Sequence, residues 1–208
     1  MRQITIKNIQ LLEITTPDGT PCTGGHQEWY DTKWHKMSGC GPVAASNLVW
    51  YQAHTRENLR GLCDTGNGGY DDYRVLMDAM FGYITPGRGG IHNSGLFVPG
   101  LLAYCRDRGL QMEADWLEIR HRPRRAPKLD DVRDFLMRWL EKDCAVAFLN
   151  RSNGKLKLPD SWHWVTILAL EPISMTAKIS DEGCTYEADI GKWIKTSFLG
   201  GALVALHQ

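Results

Sequence analysis

The hydrophobic pattern changes at about residue 144, and this change constrains the fold more than any other feature of the sequence. Before that point, apolar residues recur at helical spacing in four segments, residues 42–54, 71–83, 97–108 and 129–142. After it, short runs rich in Val, Ile, Leu and Trp stand between turn residues, at 144–150, 162–170, 175–180 and 201–207. Helices in the first half and strands in the second predict an α+β fold rather than alternating β-α-β units.

The remaining segments are predicted to be strands and loops. Residues 1–16 contain short alternating stretches that favour a strand, and residues 17–25 are rich in turn formers. A long loop then leads to Cys40. Residues 111–119 predict another strand, and the basic, proline-containing residues 120–128 predict an exposed connector. We expect that connector to be a solvated loop rather than a binding patch.

Length and charge limit the classes of partner. The chain has 208 residues, which favours one domain over residues 1–208 with a substantial core. Lys and Arg number 24, as do Asp and Glu, so the formal net charge is zero. Such a protein has no overall field that attracts DNA, RNA or an anionic membrane surface. We therefore expect no nucleic-acid partner and no membrane partner, and the sequence leaves the oligomeric state open.

The first residues and the cysteines indicate the compartment. In residues 1–16, polar and charged residues interrupt every apolar pair, so neither a signal peptide nor a spanning helix is expected there. The longest apolar runs elsewhere are too short to cross a bilayer. We expect a cytoplasmic protein, in which the six cysteines are reduced thiols rather than a disulfide framework.

Cys40 is the candidate nucleophile. It lies in Ser38-Gly39-Cys40-Gly41-Pro42, and Pro42 is tolerated in the first turn of the helix predicted from this point. A thiol attacks a carbonyl as the thiolate, and the free N–H groups at a helix N-terminus stabilise that anion. The flanking glycines let backbone and substrate approach the sulfur, and the Cys40 N–H can donate to an oxyanion.

His163 is the candidate base among seven histidines, because it opens a predicted strand, His163-Trp164-Val165-Thr166-Ile167-Leu168, just after a loop. An imidazole keeps the sulfur deprotonated and later gives a proton to the leaving group. Asp181 follows the next predicted strand, and a hairpin between the two strands would place Asp181 beside His163, where a carboxylate orients the ring.

These motifs together resemble those of the papain-like peptidases. "GCGPVAA" stands on a predicted helix, "HWVTIL" lies far downstream and "ISDEG" follows one strand later. They are most similar to the bacteriocin-processing peptidases found on peptide exporters and to their stand-alone relatives. The resemblance covers roughly the whole chain at low overall similarity. It implies a helical N-terminal half packed against an antiparallel sheet, with the active-site cleft between them.

The resemblance also implies an upstream glutamine that donates its side-chain amide to the oxyanion. Gln27 is the only glutamine in the loop before Cys40, but the usual gap is about half as long. With Cys40, His163, Asp181 and Gln27 in these roles, the expected activity is hydrolysis of a peptide or amide bond through a thioester. No cofactor and no metal are expected.

Other interpretations of the same residues remain open at this stage. The same catalytic residues suit an acyltransferase, and a structural Cys40 suits a catalytically silent binding module. His163 is then a core histidine, and Asp181 caps a turn. Two thiols and two imidazoles also suit zinc, although their spacing fits no tight knuckle: Cys22, His26, His35 and Cys40. Five tryptophans near these residues line the cleft or pack in the core: Trp29, Trp34, Trp50, Trp162 and Trp164.

Overall fold

The chain folds into helices and one large antiparallel sheet in a computed structural model that describes residues 3–63, 66, 68–119 and 129–208. The helices are α1 (Lys33–Ser38), α2 (Cys40–Thr55), α3 (Tyr70–Tyr83), α4 (Ser94–Asp107), α5 (Leu129–Glu141) and α6 (Ile190–Thr196). The strands are β1 (Ile4–Thr5), β2 (Glu13–Thr15), β3 (Pro21–Thr23), β4 (Glu113–Ile119), β5 (Val146–Asn150), β6 (His163–Glu171), β7 (Thr176–Asp181), β8 (Cys184–Asp189) and β9 (Gly201–His207). Short 3₁₀ helices cover Ile9–Leu12, Gln27–Trp29 and Glu57–Leu62. The α+β class predicted from the sequence is confirmed.

The large sheet has the strand order β4-β9-β5-β6-β7-β8, and β1 pairs with β6. All of its pairings are antiparallel. Every residue of β5 is buried, as are most residues of β6 and β9. Because successive side chains of a strand point to opposite faces, the centre of the sheet is covered on both faces. Helices α2 and α5 both pack on β5 and β6.

Helix α2 is buried on nearly all sides. Its residues from Gly41 to Ala53 are all buried, which is the pattern of a helix inside a core. Helix α2 contacts α3 and α4 as well as three strands of the sheet. Because so much apolar surface holds this helix in place, the position of its first residue, Cys40, is fixed by the core.

The predicted elements agree with the structure where the hydrophobic pattern is strong. In α5, the buried residues recur at helical spacing, as predicted for residues 129–142: Val132, Leu136, Trp139 and Leu140. In α3, the apolar residue Val75 is 59% exposed and so departs from the predicted pattern. Helices α1 and α6 and strands β3 and β8 were not predicted. The predicted connector at residues 120–128 lies outside the described residues. Every helix in the described part of the chain falls short of the length and apolarity needed to cross a bilayer.

A buried polar network fastens the segment before Gln27 to the core. The Asn47 side chain on α2 accepts hydrogen bonds from the Gly25 N–H, at 3.1 Å, and from the Tyr73 hydroxyl. Its Nδ2 donates to Thr166 Oγ1 on β6, at 2.9 Å. Asn47 is 2% exposed, so these bonds form away from water. The network therefore ties α2, α3, β6 and the Gly25 backbone together.

We predict that Asn47→Ala lowers the free energy of unfolding by on the order of 3 kcal/mol, because it leaves three buried polar partners without Asn47. Tyr73→Phe is the matched control, since it removes one hydrogen bond of the same network and is expected to cost about 1 kcal/mol. Urea denaturation of both variants measures the two values. Equal losses in the free energy of unfolding would contradict the conclusion that Asn47 joins the other groups of this network.

Candidate active site

Cys40 is the first residue of α2, as predicted. The residue before it, Gly39, caps the helix without any side-chain hydrogen bond, so no side chain satisfies the first N–H groups of α2. Cys40 is partly exposed, whereas the following residues of α2 are buried. A partly exposed cysteine therefore lies at the positive end of a well-anchored helix, where an anion is stabilised.

The two glycines beside Cys40 are required by packing. A Cβ on Gly39 would clash with the Tyr30 ring and lie 2.6 Å from the His35 carbonyl oxygen. A Cβ on Gly41 would lie 3.2 Å from the Ile91 side chain. From the sequence, these glycines were expected to let backbone and substrate approach the sulfur. The structure instead gives them contacts with protein groups that leave little room for a side chain.

His163 and Asp181 are hydrogen bonded, as expected from a β6–β7 hairpin. The two strands pair antiparallel, and the distance from His163 Nε2 to Asp181 Oδ1 is 2.7 Å. Both side chains are largely buried, at 13% and 10% exposure. The other carboxylate oxygen, Asp181 Oδ2, accepts a hydrogen bond from the Tyr186 hydroxyl at 2.8 Å. Burial and the Asp181 carboxylate raise the pKa of Tyr186, so the phenol stays protonated and donates.

The His163 ring also interacts with Cys40. Burial alone lowers the pKa of His163, but the hydrogen bond to Asp181 and the hydrogen bond and charge interaction with Cys40 outweigh burial. The pKa rises from 6.5 to about 10. The hydrogen bond to Asp181 uses Nε2, and His163 and Cys40 line the same pocket. A raised pKa favours the protonated form of His163, and an imidazolium is a partner that stabilises a thiolate.

Gln27 lines the same pocket as Cys40, His163 and Asp181. Its long separation from Cys40 along the chain is occupied by α1, after which the chain returns to the site. The Gln27 side chain donates from Nε2 to Glu182 Oε1 at 3.3 Å. All four residues proposed from the sequence thus meet in one place, and their chemical roles stay predictions.

Several residues of this site were not found by reading the sequence. Tyr186 and Glu182 contact the predicted residues through β8 and the β7–β8 turn, and neither element carries a hydrophobic signal. Asn47 lies two helical turns after Cys40, and that spacing was a usable signal for a residue on the same side of α2.

The residues of the zinc hypothesis are not brought together. His35 stacks on Phe81, with ring centroids 3.8 Å apart, and Cys40 interacts with His163. Across the ranges that the structure describes, no three His, Cys, Asp or Glu side chains form a group suited to a metal ion.

Of the five tryptophans, Trp50 and Trp164 are buried, whereas Trp34 and Trp162 are 45% and 56% exposed. Trp164 also lines the pocket.

Comparison of the sequence with protein-family models gives no match, and a search of curated proteins gives no significant match. A function for this chain is therefore inferred from the chemistry of the pocket residues and from the motifs in the sequence.

We predict a pH-dependent difference in stability between the wild type and Asp181→Asn. The pKa of His163 in the folded protein, about 10, exceeds its value of about 6.5 in an unfolded chain. A raised pKa contributes stability that is fully present below pH ~6.5 and is lost as pH rises toward about 10. The free energy of unfolding should therefore be higher for the wild type than for Asp181→Asn. This difference should be largest at pH 6 and should shrink toward pH 10.

Urea denaturation at intervals from pH 6 to pH 10 measures this difference. Asp134→Asn, which changes an exposed carboxylate on α5, is the control and should show no such trend. A difference for Asp181→Asn that stays constant over this range would contradict a linked His163–Asp181 pair.

Proposed function

We propose that this chain is a cysteine-dependent hydrolase of the papain-like kind, which cleaves a peptide or amide bond through a thioester. One observation carries the proposal. His163 is hydrogen bonded to Asp181 and lines the same pocket as Cys40, which begins a buried helix. A nucleophile, a base and a group that orients the base are the parts of this mechanism.

In the first half of the reaction, the Cys40 thiolate attacks the carbonyl carbon of the substrate, and the C=O electron pair moves onto oxygen. The Cys40 N–H and the Gln27 amide donate to this oxyanion in the proposed mechanism, which the presence of both residues in the lining of one pocket supports. The C–N bond then breaks, and the His163 imidazolium gives its proton to the departing amine. The product is a thioester on Cys40.

In the second half, His163 is a neutral base that takes a proton from water, and the hydroxide attacks the thioester carbonyl. The C–S bond breaks, the acid leaves and the Cys40 thiolate is restored, with the proton on His163. Asp181 holds the ring in one orientation throughout and stabilises its charged form. None of these steps calls for a cofactor.

The arrangement of the fold supports the papain-like proposal. Cys40 opens a helix of the N-terminal half, and His163 opens a strand of an antiparallel sheet in the C-terminal half. The order of the three groups along the chain, Cys40 then His163 then Asp181, is also that of the resemblance described above. The peptide or amide substrate, the cytoplasmic location and the absence of nucleic-acid partners are predictions from the sequence.

We predict that at pH 6 iodoacetamide labels Cys40 about 10-fold faster, or more, than any other cysteine. An ordinary thiol, with a pKa of about 8.5, is almost entirely protonated at pH 6 and reacts slowly, whereas a thiolate stabilised by an imidazolium reacts quickly. Burial raises the pKa of Cys144 and raises that of Cys105 to about 12, which slows both. Cys184 is exposed and provides the internal control. Labelling sites and rates are read by mass spectrometry.

In the same measurement, His163→Ala should lower the labelling rate of Cys40 toward that of Cys184. Similar slow labelling of all six cysteines in the wild type would favour a binding module in which Cys40 is structural.

We predict that four substitutions reduce turnover to different degrees. Cys40→Ala and His163→Ala each remove a chemical participant, so turnover should fall to the residual level of binding and oxyanion contacts. Asp181→Ala removes an orienting group and should cost about 10-fold to 10³-fold. Gln27→Ala removes one oxyanion donor and should cost roughly 10²-fold to 10³-fold in kcat with little change in KM.

The substrate for these measurements comes from a screen of peptides and amides in which wild type is compared with Cys40→Ala, and each variant is first checked by thermal melting. Adding amine or thiol acceptors separates hydrolysis from acyl transfer, because a transferase passes the acyl group to the acceptor rather than to water. If the turnover of Gln27→Ala equals that of the wild type, another residue in the segment before Cys40 is the oxyanion donor.

A further inference from the structure

The turn between β7 and β8 has an unusual residue at its tip. Asp181 and Cys184 are the last paired residues of the hairpin, so Glu182 and Gly183 form a two-residue loop. Both have positive φ, 47° and 75°, as a type I′ turn requires. Asn-Gly is the favoured pair for this turn, and a non-glycine residue in the left-handed region costs about 1 kcal/mol or more. A glutamate is therefore a costly choice for the turn alone.

The Glu182 side chain contacts the Gln27 amide. Glu182 Oε1 accepts a hydrogen bond from Gln27 Nε2 at 3.3 Å. A carboxylate only accepts hydrogen bonds, so the NH₂ group of Gln27 must be the end of the amide that faces it. The opposite end, Gln27 Oε1, is buried and has no hydrogen-bond partner. Leaving such an atom unsatisfied costs about 1–3 kcal/mol, and the contact with Glu182 offsets that cost in this orientation.

One N–H of the Gln27 amide remains available in this orientation. An amide nitrogen carries two hydrogens, and Glu182 accepts one of them. Within residues 3–63, 66, 68–119 and 129–208, the second N–H has no hydrogen-bond partner. Gln27 and Cys40 line the same pocket. A donor without an acceptor is thus carried by a residue that lines the same pocket as the proposed nucleophile.

We infer that Glu182 is a positioning residue, which holds the Gln27 amide with its NH₂ group ready to donate to the oxyanion. This inference rests on the proposed function. Two consecutive residues at the tip of one hairpin would then hold two different catalytic groups in place. Asp181 orients the base, and Glu182 orients the oxyanion donor. The energetic cost of a glutamate in the turn is then explained by its contact with Gln27.

Two reagents separate oxyanion stabilisation from the reactivity of the sulfur. p-Nitrophenyl acetate is attacked at its carbonyl carbon, passes through a tetrahedral oxyanion and releases p-nitrophenolate as the thioacetyl enzyme forms. Iodoacetamide is attacked at its CH₂ carbon and releases iodide, and no oxyanion forms. Loss of an oxyanion donor should therefore slow acylation by the ester and leave alkylation of Cys40 unchanged.

The key variant is Glu182→Asn, because asparagine suits a type I′ turn but is too short to replace the contact with Gln27. We expect acylation by p-nitrophenyl acetate to fall about 10-fold, alkylation to stay within about 2-fold of wild type, and Tm not to fall. Glu182→Gln keeps an acceptor oxygen and should give a smaller loss. Glu187→Gln, an exposed glutamate on β8, is the matched control and should acylate like the wild type.

A double-mutant comparison tests whether Glu182 acts through Gln27. In the Gln27→Ala background, Glu182→Asn should cause no further loss of acylation rate, because the group it positions is gone. Additive losses would overturn the inference and indicate that Glu182 contacts the substrate or the sulfur directly.

The outcomes also separate failure of the inference from failure of the proposed function. If Glu182→Asn acylates as fast as the wild type or faster, or slows both reagents equally, Glu182 is not a positioning residue for the donor, and the hydrolase proposal stands. If the wild type shows neither preferential alkylation nor acylation of Cys40, the proposed function itself is wrong.

Discussion

The burial of α2 is the constraint on which the rest of the site depends. Residues Gly41–Ala53 of this helix fill the space between the sheet and the other helices, so the helix cannot shift without opening the core. Its first residue lies at the edge of that core, where the chain is partly exposed. A well-packed interior thus supports the proposed nucleophile at its rim. Asn47, on the same helix, extends this rigidity to the backbone at Gly25 and to Thr166 on β6.

The electrostatics of the pocket depend on a short series of hydrogen bonds. Tyr186 donates to Asp181, and Asp181 accepts from His163, so both carboxylate oxygens are engaged. Because this pair is shielded from water, its hydrogen bond raises the pKa of His163 despite burial. The His163 ring lines the same pocket as Cys40, which lies at the N-terminus of α2. In the proposed mechanism, the protonated ring and the helix N-terminus both favour a negative charge on the Cys40 sulfur.

The sequence predicted those parts of the site that follow from local patterns. The start of α2 follows from Pro42 and the apolar spacing after it, and the neighbouring positions of His163 and Asp181 follow from two apolar runs that form a hairpin. Helix α1 was missed because it is only six residues long, has a single buried residue and carries no apolar stripe. Strand β8 was missed because it is a polar strand at the sheet edge. The contacts of Tyr186 and Glu182 depend on the β7–β8 register and on the path of the chain before Gln27, which no local pattern specifies.

Helix α1 lies between two separately anchored points. The segment before it is tied to Asn47 through the Gly25 N–H, and the residue that follows Gly39 belongs to the buried helix α2. On α1 itself, Trp34 and Met37 are largely exposed. Substitutions or insertions in this stretch can therefore change the surface beside the pocket without displacing Gln27 or Cys40. In such an arrangement the exposed surface of α1 can vary while the two pocket residues on either side of it keep their positions.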